Sequence, residues 1–198
     1  MVMLMGVLGL WAQEDGRLTV DEKNEIAAYM GSTWEKLEAS LAQLSDQQWT
    51  YKPADSVWSI AEIAEHLEKS EMELYNLLDQ QLMSSEAAPD KAEEVSTKTH
   101  MVMETIKSRQ QKFKTRPNLE PQGKYSSASE FLASFKLLRD RTLKYAQNSE
   151  QALRHHFIPF GPLGDLDGYQ ILMFMTGHLE RHYEQIEEVK SNPGFPSA

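Results

Sequence analysis

Apolar residues recur every three to four positions over most of the chain, and no stretch alternates well enough to predict a strand. The first helix this spacing predicts begins at Thr19 or Asp21 and runs to about Leu44. Its buried stripe is Ile26, Met30, Trp34 or its neighbour Thr33, Leu37, Leu41 and Leu44. Ser45 to Val57 reads as a connection, interrupted by Pro53 and Asp55. The second helix has the sharpest start signal, the capping box Ser59-Ile60-Ala61-Glu62. There the Ser59 hydroxyl accepts from the Glu62 amide, and the Glu62 carboxylate accepts from the Ser59 amide. Trp58 and Ile63 occupy the two positions of a hydrophobic staple, and Ile60, Ile63, Leu67, Leu74, Leu78 and Leu82 carry the core face.

Ser84 to Asp90 is polar, contains Pro89 and ends that helix. Lys91 to Lys114 is charged and weakly apolar, with Val95, Val102, Ile106 and Phe113, and reads as a crossover helix outside the main bundle. Thr115 to Ser127 is a loop, followed by a helix from about Ala128 to Asn148 carrying Phe131, Phe135, Leu138 and Tyr145. His155 to Gly168 is a Pro/Gly-rich loop. Asp167 caps the last helix, with Gln170 three residues on; Ile171, Phe174, Met175, Ile186 and Val189 point inward, and Ser191-Asn192-Pro193-Gly194 stops it. The fold class expected is all-α: a four-helix bundle with a long crossover segment between its second and third helices.

Composition narrows the function more than the fold. At 198 residues the chain suits one domain, residues 19–196, preceded by an apolar segment, residues 1–18. A net charge of −10 and the lack of a basic stripe argue against nucleic acid and anionic membranes as partners. The chain has no cysteine, which leaves His, Asp and Glu as strong metal ligands. Met1 to Trp11 is too short to span a bilayer. It fits the end of a signal peptide with cleavage near Ala12–Gln13 and a missing basic region, an extra helix, or a frayed tail. The cytoplasm is the expected location, with export as the alternative should residues 1–13 be a clipped leader.

Among the histidines, His178 and His182 are four apart on the last helix and share one face with Ile171, Met175 and Ile186. His66 lies on the inner edge of the second helix, so a pair from one helix and a single residue from another can converge on a metal and leave a coordination position open. The competing reading is that each is a hydrogen-bonded core histidine. Glu62, Glu65, Glu180 and Glu184 flank the three, and Glu62 is the candidate base. His100, His155 and His156 fall in weakly patterned regions and read as surface residues.

Trp49, Lys52-Pro53, Trp58 to Ile63 and His66-Leu67 resemble the start of the DinB-like family, which includes YfiT-like proteins. Gly161-Pro162-Leu163, Tyr169-Gln170, His178 to His182, Gln185 to Lys190 and Pro193 to Pro196 resemble its end. The resemblance covers roughly residues 20 to 196. It implies a four-helix bundle, often a homodimer, that holds one divalent ion, nickel or zinc, on His66, His178 and His182. Some relatives are transferases or isomerases acting on a small-molecule substrate with a low-molecular-weight thiol such as bacillithiol, mycothiol or glutathione. A departure stands at Ile158-Pro159-Phe160, where the family pattern places His-Pro before a Gly-x-Leu loop, and Gly164-Asp165-Leu166 looks inserted. The leading expectation is a metal-dependent thiol transferase or hydrolase. The alternative is a non-catalytic metal-binding or dimerising module.

Overall fold

The computed structural model describes residues 15–110 and 114–197, so the expectations for Met1 to Trp11 and for Phe113 lie outside the described residues. The chain runs through α1 (Val20–Leu41), α2 (Asp46–Thr50), α3 (Ile60–Asn76), α4 (Ala92–Ser96), α5 (Thr99–Lys107) and α6 (Ala128–Asn148). A short antiparallel hairpin, β1 (Phe157–Pro159) and β2 (Asp165–Asp167), then leads into α7 (Gly168–Lys190).

Side-chain caps set most helix starts. Thr19 with Glu22, Ser59 with Glu62 and Asp167 with Gln170 all form complete capping boxes, as does Ser45 with Gln48 at the short α2. Each satisfies amides that the first helical turn leaves unpaired, and losing such a cap costs about 0.5–2 kcal/mol. The chain is anchored before α1 as well. Leu18 is buried in the core, and the Arg154 amide donates to the Gly16 carbonyl.

The long helices α1, α3, α6 and α7 surround two apolar clusters. One joins Ile26 and Met30 of α1 to Leu74 of α3, Ala146 of α6 and Ile171, Leu172 and Met175 of α7. The other joins Leu37 and Leu41 to Ile60, Ile63 and Leu67, to Phe131 and Phe135, and to Leu179, Ile186 and Val189. Reading which half of each helix enters which cluster gives the directions: α1 and α7 run one way, α3 and α6 the other. Two successive helices that point the same way need a long return between them, and residues 77–127 supply it.

A buried ion pair lies between the two cores. Arg139 Nη1 donates to Glu71 Oε2 at 3.1 Å, with both side chains 4% exposed. Thr142 Oγ1 donates to Glu71 Oε1 at 2.8 Å, and Arg139 Nη2 reaches Thr33 Oγ1 at 3.5 Å.

The structure departs from the sequence expectation in several places. Within Ser45 to Val57, read as a connection, the short helix α2 forms over Asp46–Thr50. The crossover is not one helix: α4 and α5 are separate, α5 ends at Lys107, and Val95, Val102 and Ile106 are buried rather than outside the bundle. Gly177 allows this seating, since a Cβ there would come within 2.7 Å of Ile106 Cγ2. The 155–168 region holds the β1–β2 hairpin, whose three-residue strands are too short for alternation to register. Beyond Asn76 the chain continues through a π turn (Leu77–Gln81) and a 3-10 turn (Leu82–Ser84), which keeps Leu78 and Leu82 in the core. No helix among the described residues is long and apolar enough to cross a membrane.

Candidate metal centre

The second turn of α3 carries His66, and the middle of α7 carries His178 and His182. Because α3 and α7 pack antiparallel, the three imidazoles meet. Ring centroids are 4.8 Å apart for His66 and His182, 5.3 Å for His66 and His178, and 4.5 Å for His178 and His182. One nitrogen from each lies within 4.8 Å of the other two, a group that could hold a metal ion. His178 Nε2 and His182 Nε2 are 3.1 Å apart. Nitrogens bound tetrahedrally at about 2.0–2.1 Å from one ion stand about 3.3 Å apart, so the observed pair matches that separation.

The far nitrogens of two rings are held by the protein. His66 Nδ1 lies 3.1 Å from the Leu119 carbonyl, and His182 Nδ1 lies 2.8 Å from Gln185 Oε1. A carbonyl oxygen can only accept, so each Nδ1 carries the proton and each Nε2 presents a lone pair. At His66 Nε2 the other neighbour is Ser70 Oγ, at a long 3.4 Å. A single proton could link His178 to His182, but the His66 lone pair would then face the same space with only that weak hydroxyl. A cation satisfies all three donors at once, and imidazole suits nickel and zinc.

Electrostatics keep the rings in the form a metal needs. Burial, followed by the charges of His182 and His66, pushes His178 well below its ordinary pKa, although one edge stays open to the cavity. Burial and then His66 push His182 down to about 3, against its hydrogen bond to Gln185. Burial likewise lowers His66, against its bond to Leu119. Neutral imidazole is the ligating form, so no proton competes with a cation near pH 7.

A cavity of about 810 Å³ opens onto all three rings. Trp58, the residue before the α3 cap, lies over His66 at 5.2 Å between centroids. Phe174 stacks on His178 at 6.1 Å, and Phe160 from the hairpin meets Phe174 edge-on at 4.8 Å. Phe174, expected in the core, instead lines the cavity.

The acidic neighbours are engaged elsewhere. The Glu62 carboxylate takes the Ser59 amide at 2.7 Å and Lys52 Nζ at 3.0 Å, one turn before His66. Glu65 Oε2 accepts from the amides of Gln122, Gly123 and Lys124 at 2.8–3.0 Å. Glu180 bonds Tyr29 and Lys107, and Glu184 is exposed. The oxygens that orient the rings come instead from Leu119 and Gln185. Gln185 stands three residues past His182, a helical spacing readable in sequence; the Leu119 carbonyl is backbone and leaves no such signal.

His100 is exposed as expected, whereas His155 and His156 are half-buried. The His155 ring packs against Gly16, and His156 Nδ1 lies 2.9 Å from the Ser85 carbonyl.

Comparison with known proteins agrees with this architecture. A family model described as the DinB superfamily matches residues 30–186. The uncharacterized protein YuaE of Bacillus subtilis (strain 168) is 27% identical over 158 residues, covering 80% of this chain and 90% of that protein. No solved structure matches the chain.

Proposed function

The chain belongs to the DinB superfamily, and from that premise we propose that it is a divalent-metal enzyme that transfers a low-molecular-weight thiol to an electrophilic small molecule. The observation that carries this reading is the convergence of three imidazole nitrogens at the wall of a large cavity. Three ligands leave a position for a reactant, and the cavity gives the reactant room. A closed, four-ligand site would favour a purely structural role instead.

His66, His178 and His182 would hold the ion, nickel or zinc, with Leu119 and Gln185 fixing the ring orientations. A divalent ion supplies the positive charge that lowers the pKa of a thiol or water beside it. The chain has no cysteine, so the thiol enters as a small molecule. Phe160, Phe174 and Trp58 exclude water from one side of the rings and offer apolar surface to the electrophile. The sulfur forms its bond to carbon as the leaving group departs with the bonding electrons, and the thiol proton passes to solvent.

The test follows loss of free thiol when zinc- or nickel-loaded protein meets 1-chloro-2,4-dinitrobenzene with bacillithiol, mycothiol or glutathione. The expected result is a rate above background for at least one thiol, abolished in His66→Ala. Background rates for every thiol at full metal occupancy would contradict the transferase reading and leave the binding module in its place.

A further inference from the structure

The cavity beside the imidazoles carries charge that thiol activation does not use. Among the described residues its charged lining is Arg109, Lys114, Arg116 and Arg181 against Glu188, in a chain of net charge −10. Arg116 also pairs with Glu73 and Arg109 with Glu188, yet the cations around the cavity still outnumber these carboxylates, an excess that favours anions there.

Helix α7 serves as a ruler for the layout. Phe174 stands one turn before His178, with Phe160 against it. Glu188 stands ten residues after His178, about 15 Å along the axis at 1.5 Å per residue. Arg109 grips Glu188 with two donors, Nη2 at 2.7 Å and Nε at 3.1 Å. Arg181 Nη1 donates to the carbonyls of Ile106, at 3.4 Å, and of Ser108, which brings its guanidinium to the end of α5 from which Arg109 extends. Two guanidinium groups therefore share the neighbourhood of one carboxylate. Along α7 the order is Phe174, then the histidines with Arg181 between them in sequence, then Glu188 with Arg109.

We propose that the ligand of this cavity is an elongated organic anion, with an aromatic or aliphatic body against Phe160 and Phe174 and a carboxylate at Arg109 and Arg181. The histidine cluster then lies alongside the middle of the ligand. Guanidinium forks match carboxylates in two-donor geometry, and such charge-assisted bonds are the strong ones. The Arg109–Glu188 pair is partly exposed, 32% and 58%, and pairs of that kind are weak, so an incoming carboxylate can displace Glu188 at little cost. That the cavity is a substrate site rests on the proposed function; that it prefers an anion rests on its lining.

The probes are 10-phenyldecanoate, long enough to reach from Phe174 to Arg109, and its neutral near-isostere 10-phenyldecanamide, titrated calorimetrically into the full chain, once stripped by chelator and once zinc-loaded. The acid is expected to bind at least tenfold tighter than the amide in both forms. Arg109→Gln should bring the acid down to the amide, Phe174→Ala should weaken both alike, and Glu188→Gln, which removes the competing carboxylate, should tighten only the acid. Equal binding of acid and amide to the parent would overturn the proposal. So would a preference for the acid that survives Arg109→Gln and vanishes on stripping, because the ion would then be the partner of the carboxylate and the metal reading would stand alone. An Arg109-dependent preference in a protein that binds no zinc would leave the anion site standing and remove the metal reading.

Discussion

Two polar clusters are buried close to the boundary between the same two apolar cores, and they are built on opposite terms. In the Glu71–Arg139–Thr142 cluster, donors meet acceptors: both carboxylate oxygens are taken, and Arg139 Nε is the buried side-chain atom left without a partner among the described residues. In the histidine cluster, three ring nitrogens from α3 and α7 converge at a cavity wall with no more than one proton to share among them. The first is satisfied within the chain apart from Arg139 Nε, and it ties α1, α3 and α6 together. The second could be completed by a cation that takes a lone pair from each ring. Burial alone does not distinguish a structural cluster from a binding one; the match of donors to acceptors does.

The comparison is broken most severely at the ion pair. Removing one partner of a buried pair leaves the other charge stranded, so Arg139→Met is expected to cost about 3–5 kcal/mol in urea unfolding. Adding Glu71→Leu should recover most of that loss. In chelator-stripped protein, His182→Leu should cost no more than about 1 kcal/mol, because the neutral ring it removes has few committed partners. A cost below about 1 kcal/mol for Arg139→Met would show that the two clusters do not differ in this way.

A smaller effect is expected at Glu65, which holds the 122–124 loop. Burial pushes its carboxyl up, but the Lys124 amide, the Lys69 ammonium and the Gln122 and Gly123 amides outweigh burial and hold it down to about 2 from an ordinary 4.5. With a depressed pKa, it contributes stability that is fully present above about pH 4.5 and is lost as the pH falls toward 2, roughly 3 kcal/mol in all. Glu65→Gln should cost about 2–3 kcal/mol at pH 7 and flatten the acid limb of the stability profile between those values. The same loop presents the Leu119 carbonyl to His66, so the variant should also bind metal roughly tenfold more weakly. An unchanged acid limb would remove Glu65 from this role.

The parts of the molecule that were legible in the sequence are those with local causes. Thr19, Ser59 and Asp167 announce helix starts within four residues, and the structure places caps at all three. The spacing of His178 and His182 needs only one helix to be meaningful, His66 stands out on the inner edge of the second helix, and the family resemblance joins the three as ligands. What stayed hidden depends on distant partners or on elements too short to show a period. Glu71 and Arg139 are 68 residues apart and look like ordinary exposed charges until α3 and α6 pack. The Ser45–Gln48 box was as readable as the others, yet the five residues it starts carry too little periodicity to mark a helix. The burial of α5 depends on Gly177, whose missing side chain matters only beside Ile106. Most of the cationic lining of the cavity comes from the loop between α5 and α6, where residues 107–116 hold five basic residues and no acidic one, a local signal readable in the sequence; Arg181 joins it only when α7 packs.

The most direct test of the account is a calorimetric titration of zinc and of nickel into chelator-stripped protein, with His66→Ala, His178→Ala and His182→Ala run in parallel. The expected result is one ion per chain for the parent and affinity reduced at least about a hundredfold in each variant, since each loses one of three nitrogens. Variants that bind as tightly as the parent, or a parent that binds neither ion, would contradict it.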